Sequence, residues 1–593
     1  MTLHQYDYIF AIGTIFAFLD AWNIGANDVA NSWANAVASR SVSYIQAMLI
    51  ASVMEFTGAT AVGARVADTI RTKIVDTTLY RDDPAILMLG MCCAVIGSSC
   101  FLTMATKLGL PISTTHSILG GVLGMGVATV GAGGVLWVGK GSGTDKITGG
   151  VVQVFLGWII SPILAGVIAA ALFLLSKYAV LVRKNPALRG LTLVPVFFSV
   201  TAMLITMLLV WKGGSYKVNL PDEAIPGVIV GVGIAFGILT AIFLVPWLYR
   251  YIVLGDWQLR WYHMFQGPLV LRRGEIPPTP AGFKGLVRDF YEGRLTKEQL
   301  DAKRTAEVAS GGSPGQDDLI TNSAEKGIFS SEAQSAPIKG DSSDAGVVVD
   351  EPAQIKSLVG PKPEGLPWHH KSMLWWYFKF ALFHGVDKDV VNSQNEKSAL
   401  GGDVEEMHTR AERYDNKAEF LFTFMQVSTN AAMAFTHGAN DVSNCIGPYS
   451  AIYQIWKEGR LPADGKSPVP LWILFFGGVG IIVGLWTYGY NVMRNLGNRL
   501  TLQSPSRGFS VSLGSVATVI LATRLKLPVS TTQCITGATV GVGLCNGEWR
   551  AVNWRMVAWI YFGWFITLPV TGIISGCLMG IIINAPRWGM GNA

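Results

Sequence analysis

Charge is what this 593-residue sequence is short of: Asp, Glu, Lys and Arg make up 15 % of it, against about 25 % in ordinary soluble domains. Half of the residues are hydrophobic and the mean hydropathy is +0.38, so the scarcity describes an integral membrane protein. The formal net charge of +6 does not indicate nucleic acid, because many basic residues sit at the ends of apolar runs, where positive-inside topology places them. Cysteine is scarce too. Its seven copies, Cys92, Cys93, Cys100, Cys445, Cys534, Cys545 and Cys577, lie within or beside apolar segments, odd in number and without repeating ligand spacing. They read as small apolar side chains rather than a disulfide or metal framework. Histidine appears eight times, and none pairs with an Asp in a recurring constellation. No short basic region with a cleavage site opens the chain, so the first apolar run reads as a retained span.

What is present is a repeat. Gly25-Ala26-Asn27-Asp28-Val29-Ala30-Asn31 returns as Gly438-Ala439-Asn440-Asp441-Val442-Ser443-Asn444, 413 positions later. Leu110-Pro111-Ile112-Ser113-Thr114-Thr115 recurs as Leu527-Pro528-Val529-Ser530-Thr531-Thr532, and Gly157-Trp158 with Ser161-Pro162 has a looser echo in Gly563-Trp564 with Thr567 and Pro569. Three landmarks in one order indicate an internal duplication.

At about twenty apolar residues per span, the runs predict about twelve transmembrane helices: near 7–39 (broken at Gly25), 44–66, 85–106, 110–134, 150–176, 190–211, 226–249, 417–445, 470–493, 509–524, 527–545 and 555–583. Lys177, Arg183, Lys184 and Arg189, and the insert beginning at Arg250, place those loops in the cytoplasm and the N-terminus outside. Seven spans then separate the two Gly-Ala-Asn-Asp strings, so the repeats are inverted. The predicted fold is an all-α membrane protein in two inverted repeats with broken or re-entrant helices. Its divisions are a first repeat (1–180), linking helices (181–254), a partly disordered cytoplasmic loop (255–416) and a second repeat (417–593). Within the loop, Ser310 to Ala353 is too poor in large apolar residues to fold. The aromatic and basic stretch from Leu366 to Phe380 suits either a helix lying in the membrane interface or packing against the folded part of the loop.

Carboxylates at membrane depth are costly and by default functional. Asn23, Asn27, Asn31 and Asn35 are four apart and share a helix face, with Asp20 and Asp28 near it. Such a stripe can be polar glue between helices, but its return around Asn440, Asp441 and Asn444 with Gly at the break favours a site. Asp20 has Met433 as its counterpart and is grouped with the glue. The Leu-Pro-x-Ser-Thr-Thr strings read as helix starts. Starts inside the membrane offer an anion free N–H groups, the positive dipole end and hydroxyls, and discontinuous helices at the midplane hold substrate in inverted-repeat transporters. No Lys or Arg lies in either string, so the anion would be held by dipoles and hydroxyls. Asp28 and Asp441 beside an anion require a cation between, and oxygen donors suit an alkali ion or proton. Glu55 is a further acid in an apolar run, with Ile481 as its apparent counterpart. The roles of His116 and Gln533, which follow the Ser-Thr-Thr strings, stay open between packing and ligation.

These paired strings resemble the inorganic phosphate transporter (PiT) family, and the long central loop is similar to that of its fungal sodium-coupled symporters. The resemblance implies import of inorganic phosphate by alternating access at the plasma membrane. Asn27, Asp28, Asn31, Glu55, Asn440, Asp441 and Asn444 would lie near sodium, and Ser113, Thr114, Thr115, Ser530, Thr531 and Thr532 near phosphate. Sodium is then a co-substrate and no cofactor is expected. The partners implied are phosphate, sodium ions, the bilayer and a second copy in a homodimer. Animal members of the family carry acids where this chain has Met91 and Ser512, which leaves the ion count and proton coupling open. Proton-coupled symport and a phosphate-sensing role are the alternatives. A channel would conduct without coupling, and an enzyme acting on phosphate esters would need a nucleophile with its base or a metal cluster, neither of which is found.

Overall fold

The computed structural model describes residues 4–64, 74–139, 149–212, 220–280, 283, 285–309, 359–383, 385–386, 402–460, 469–524 and 529–585. The Ser310–Ala353 stretch and the Leu527-Pro528 pair lie outside them. Among the described residues the chain is helical, with one isolated antiparallel bridge between Val75 and Val135.

Helix α1 (Asp7–Ile24) passes through a π-helical turn (Gly25–Val29) into α2 (Ala30–Ala38). A capping box starts α3 (Tyr44–Val62): Ser43 Oγ accepts from the Gln46 backbone N–H at 3.3 Å while Gln46 Oε1 accepts from that of Ser43 at 3.0 Å. Then come α4 (Pro84–Lys107), opened by proline in its first turn, α5 (Thr114–Val130), α6 (Gly150–Ser176), α7 (Pro186–Lys212) and α8 (Ala224–Leu239), which continues through wide turns to Val253. The insert contributes α9 (Lys297–Ala309), α10 (Lys371–Phe383) and α11 (Val404–Thr409). The second half holds α12 (Asn416–Glu458), α13 (Leu471–Met493), α14 (Pro505–Arg524), α15 (Thr531–Leu544) and α16 (Trp554–Asn584).

One expectation needs correction. Neither Gly-Ala-Asn-Asp string breaks its helix: the first forms a π turn, and the second sits inside α12, which runs 43 residues from an Asp415 cap to left-handed Gly459. The glycines serve close helix crossings instead. A Cβ on Gly25 would lie 1.8 Å from Ile481 O and one on Gly484 1.8 Å from Trp22 O. One on Gly438 would lie 2.2 Å from Glu55 O and one on Gly58 2.1 Å from Phe435 O. The pairs Gly25–Gly484 and Gly438–Gly58 are counterparts, so the duplication extends to the packing. Among the described residues eight helices are long and apolar enough to cross a membrane; of the other predicted spans, α5 and α15 run only 17 and 14 residues, and α12 and α14 carry polar residues along their length.

Those two short helices each form one arm of a hairpin. Tyr80, just before α4, hydrogen-bonds Thr129 near the end of α5 at 2.6 Å. Arg507, at the start of α14, donates to Asn546 just past α15 at 2.8 Å. Both hairpins therefore send their tips inward. The helices carrying the repeated strings run in opposite directions, with Trp456 near the end of α12 donating to Asp7 at the start of α1 (2.7 Å) and Ser41 beyond α2 donating to Gln426 early in α12 (2.5 Å).

The aromatic stretch is divided between its two expected fates. Met373 is buried, Trp376 Nε1 donates to Gly360 O at 3.1 Å and Lys379 Nζ to Val359 O at 2.9 Å, whereas Trp368, Trp375 and Phe378 are exposed.

Candidate functional site

The inward ends of α5 and α15 meet the repeated strings at the centre of the molecule. Asp28 Oδ2 accepts from Thr114 at 2.5 Å and its Oδ1 from Thr532 at 2.7 Å. Asp441 Oδ2 accepts from Thr531 at 2.8 Å and its Oδ1 from Thr115 at 3.5 Å. Each carboxylate thus takes the second residue of its own half's Ser-Thr-Thr string and the third residue of the other half's. Asn444 Nδ2 donates to both Thr114 and Thr115 at 3.1 Å. All of these side chains are buried, so the hydroxyls and carboxylates satisfy one another where water does not reach.

The remaining expected residues take supporting places. Asn27 Nδ2 donates to Thr106 Oγ1 at 3.1 Å and Leu110 O at 3.0 Å, and its Oδ1 accepts from Ile112 N at 3.1 Å, fixing the tip of the first hairpin. Asn440, half-buried, donates to Asp441 Oδ1 at 2.8 Å. The Asn31 side chain lies outside the described residues. Ser113 and Ser530 cap their helices, accepting from the backbone N–H groups of His116 (3.2 Å) and Gln533 (3.4 Å). The polar ends of His116 and Gln533 are buried without a hydrogen-bond partner, and the His116 ring stands edge-on to Trp158 at 5.7 Å.

One residue escaped sequence reasoning. His437 Nδ1 lies 2.8 Å from Glu55 Oε2, and its Nε2 lies 3.0 Å from Asp441 Oδ2 and 4.0 Å from Asp28 Oδ2. It joins Glu55 to the two aspartates. The signal was its i,i+4 spacing to Asp441 on one helix face, obscured because the first string has Ile24 at the matching place. Three buried carboxylates therefore share one imidazole, an arrangement that strongly favours added positive charge. Asp28, His437 and Asp441 offer three ligand atoms within 4.8 Å of one another. Among the described residues the buried lysine and arginine side chains Lys177, Arg250, Arg499 and Arg507 make contacts elsewhere, with Glu412, Asp256, Asn495 and Asn546 respectively.

A profile of the phosphate transporter family matches residues 24–575. The chain belongs to that family. This transporter is 62 % identical over 595 residues to the phosphate-repressible phosphate permease pho-4 of Neurospora crassa, covering 99 % of this chain and 100 % of the relative. It is 29 % identical over 671 residues to the human sodium-dependent phosphate transporter 2, covering 98 % and 99 %. A solved structure described as "The sodium-dependent phosphate transporter" is similar with a TM-score of 0.60 and 25 % identity, over 98 % of this chain and 100 % of that one. The protein is a multi-pass membrane transporter of phosphate, not an enzyme.

Proposed function

We propose that this transporter is a sodium-coupled symporter that imports inorganic phosphate across the plasma membrane by alternating access. The observation that carries the reading is the cross of four Thr–Asp contacts, in which each aspartate is held by one hydroxyl from either half. An anion at the ends of α5 and α15 meets helix-terminal N–H groups and hydroxyls but also two carboxylates. Cations must neutralise those carboxylates before the anion is bound with any affinity, so binding of one species depends on the other. That mutual dependence is symport. In this reading sodium takes oxygens from Asp28, Asp441, Asn27, Asn31, Asn440 and Asn444, with Glu55 acting through His437, while Thr114, Thr115, Thr531 and Thr532, backed by Ser113 and Ser530, face phosphate. Sodium dependence in the human relative's name supports the choice of ion.

The opposed directions of α1 and α12 and the two inward hairpins support the inverted-repeat reading of twelve membrane segments, with repeats at 1–180 and 417–593 around linking helices (181–254) and a cytoplasmic loop (255–416). The deciding experiment is uptake of labelled phosphate into proteoliposomes with an inward sodium gradient, compared with choline and with an inward proton gradient. Uptake that follows sodium at alkaline pH is expected. Full uptake in choline at acidic pH, lost in Glu55→Gln, would establish proton coupling instead.

A further inference from the structure

The seam between α1 and α4 carries polar side chains in three successive rungs. Asn27 meets Thr106, as described above. Next toward the start of α1, Asn23 Nδ2 donates to Thr103 Oγ1 at 2.9 Å, to Leu19 O of its own helix at 3.0 Å and to Ser99 O at 3.4 Å. At the last rung, Ser99 Oγ divides its hydrogen between Phe16 O at 2.9 Å and Asp20 Oδ1 at 3.4 Å. Asp20 and Asn23 are fully buried. With all its amide hydrogens directed to these acceptors, Asn23 leaves Oδ1 without a donor, and Asp20 Oδ2 has none either.

Two acceptor oxygens one helical turn apart, buried and without a donor, are strongly unfavourable if one belongs to a carboxylate and nothing positive lies between them. Ser98 and Ser99 flank the Asp20 carboxyl, and the Cys445 thiol is also close to it. The unpartnered carboxylate and amide oxygens, with serine hydroxyls beside them, are hard donors that suit a hard monovalent cation. The second half has no such place, because Met433 and Thr436 stand at the matching positions. Met433 packs in the apolar core, and Thr436 bonds its own helix at Ala432 O (2.8 Å).

We propose that Asp20 and Asn23, with the Ser98–Ser99 turn of α4, form an alkali-cation site separate from the Asp28–Asp441 centre, present in the first half only and two turns nearer the start of α1. Its occupant takes Asp20 Oδ2 and Asn23 Oδ1 as ligands and counts as an additional bound ion. The identity of the ion rests on the sodium reading above.

Equilibrium binding of radioactive sodium to the purified full-length protein, with and without inorganic phosphate, tests it. Asp20→Asn keeps shape and supplies an amide hydrogen for Asn23 Oδ1, so the variant should elute as wild type in size exclusion, bind one sodium fewer per chain and show a lower Hill coefficient for sodium in phosphate uptake. Asn23→Ala, which retains the carboxylate, should weaken that sodium by about tenfold or more, the usual effect of removing a supporting ligand group. Unchanged sodium stoichiometry in a folded Asp20→Asn protein overturns the proposal, and means that a resident proton joins the two oxygens. Absence of sodium binding in the wild type instead strikes the sodium reading itself, so the two failures are distinguishable. If Asp20→Asn does not fold, an unaltered sodium titration in Asn23→Ala is the overturning result.

Discussion

Replacing Gly438 with alanine tests the geometry on which the site depends. The added Cβ would stand 2.2 Å from Glu55 O, more than 1 Å short of ordinary contact at 3.4 Å, and 2.8 Å from the Glu55 carbonyl carbon and Cα. Every obstructing atom is backbone, so no rotamer change relieves the clash. Helix α3 must move away from α12 by about that distance, and it must do so at Glu55, whose carboxylate is 2.8 Å from His437. Overpacking of this kind costs about 1–3 kcal/mol where side chains can adjust, and a backbone clash belongs at or above the upper end. We expect Gly438→Ala to lower the thermal unfolding temperature of the purified protein by several degrees and to abolish sodium-driven phosphate uptake. Gly58→Ala, at the other side of the same crossing, should behave alike. The control is Gly133→Ala, where a Cβ meets nothing within 4 Å. Wild-type stability and uptake in Gly438→Ala would refute the close crossing and restore glycine as a helix break at that string.

Asp28→Asn and Asp441→Asn should reach the membrane yet lose sodium-driven uptake, because the charge that calls for a cation is gone; near-normal sodium dependence in either would return that residue to a packing role. Ser113→Ala should cost about 0.5–2 kcal/mol of stability through its cap and a further 1–3 kcal/mol of phosphate affinity if the hydroxyl also serves the anion, so intact affinity in an isothermal titration would show a cap alone. His437→Leu removes the imidazole between buried Glu55 and Asp441, and a loss of about 3–5 kcal/mol should appear as a sharp fall in melting temperature; an unaltered melt would mean the carboxylates are not charged together. On α11 of the insert, His408 lies 2.7 Å from Asn498 O and 3.2 Å from Arg294 Nη1, and burial, then the Arg294 charge, hold its pKa down to about 3. Unfolded histidine binds a proton below about 6.5 that the folded ring refuses, so this contribution is complete above that pH and is lost as pH falls toward 3. Melting temperatures of wild type should therefore fall more steeply than those of His408→Gln between about pH 6.5 and 5, and parallel curves would show that the ring does not report on the fold.

The membrane class, the duplication and the pairing of the Asp and Thr strings were legible because each rests on local sequence: hydropathy, identity of strings and capping chemistry. What the sequence did not disclose depends on contacts between distant segments. Gly25 and Gly438 looked like helix breaks because glycine is a poor helix former, and only Ile481 and Glu55 on other helices reveal why a side chain is forbidden there. His437 was passed over because its partner Glu55 is 382 residues away. The exchange of third-position threonines between halves was likewise beyond reach, since strings more than 400 residues apart carry no sign of which Asp each one faces.

Arg40 closes the helix that holds the first aspartate, and it is the only non-glycine residue with positive φ (59°) among those described. A left-handed backbone costs about 1–2 kcal/mol for such a side chain, and the insert holds it in place: Arg288 donates to Arg40 O at 2.9 Å, and Arg40 pairs with Glu292 at 3.0 Å. From Ala38 back to Ala30 the chain is α-helical for about 12 Å at 1.5 Å per residue, and it runs on through the π turn to Asp28. The insert and the Asp28 turn are thus joined by one continuous helical segment, so a shift of the insert at Arg288 or Glu292 is carried to the turn that holds Asp28.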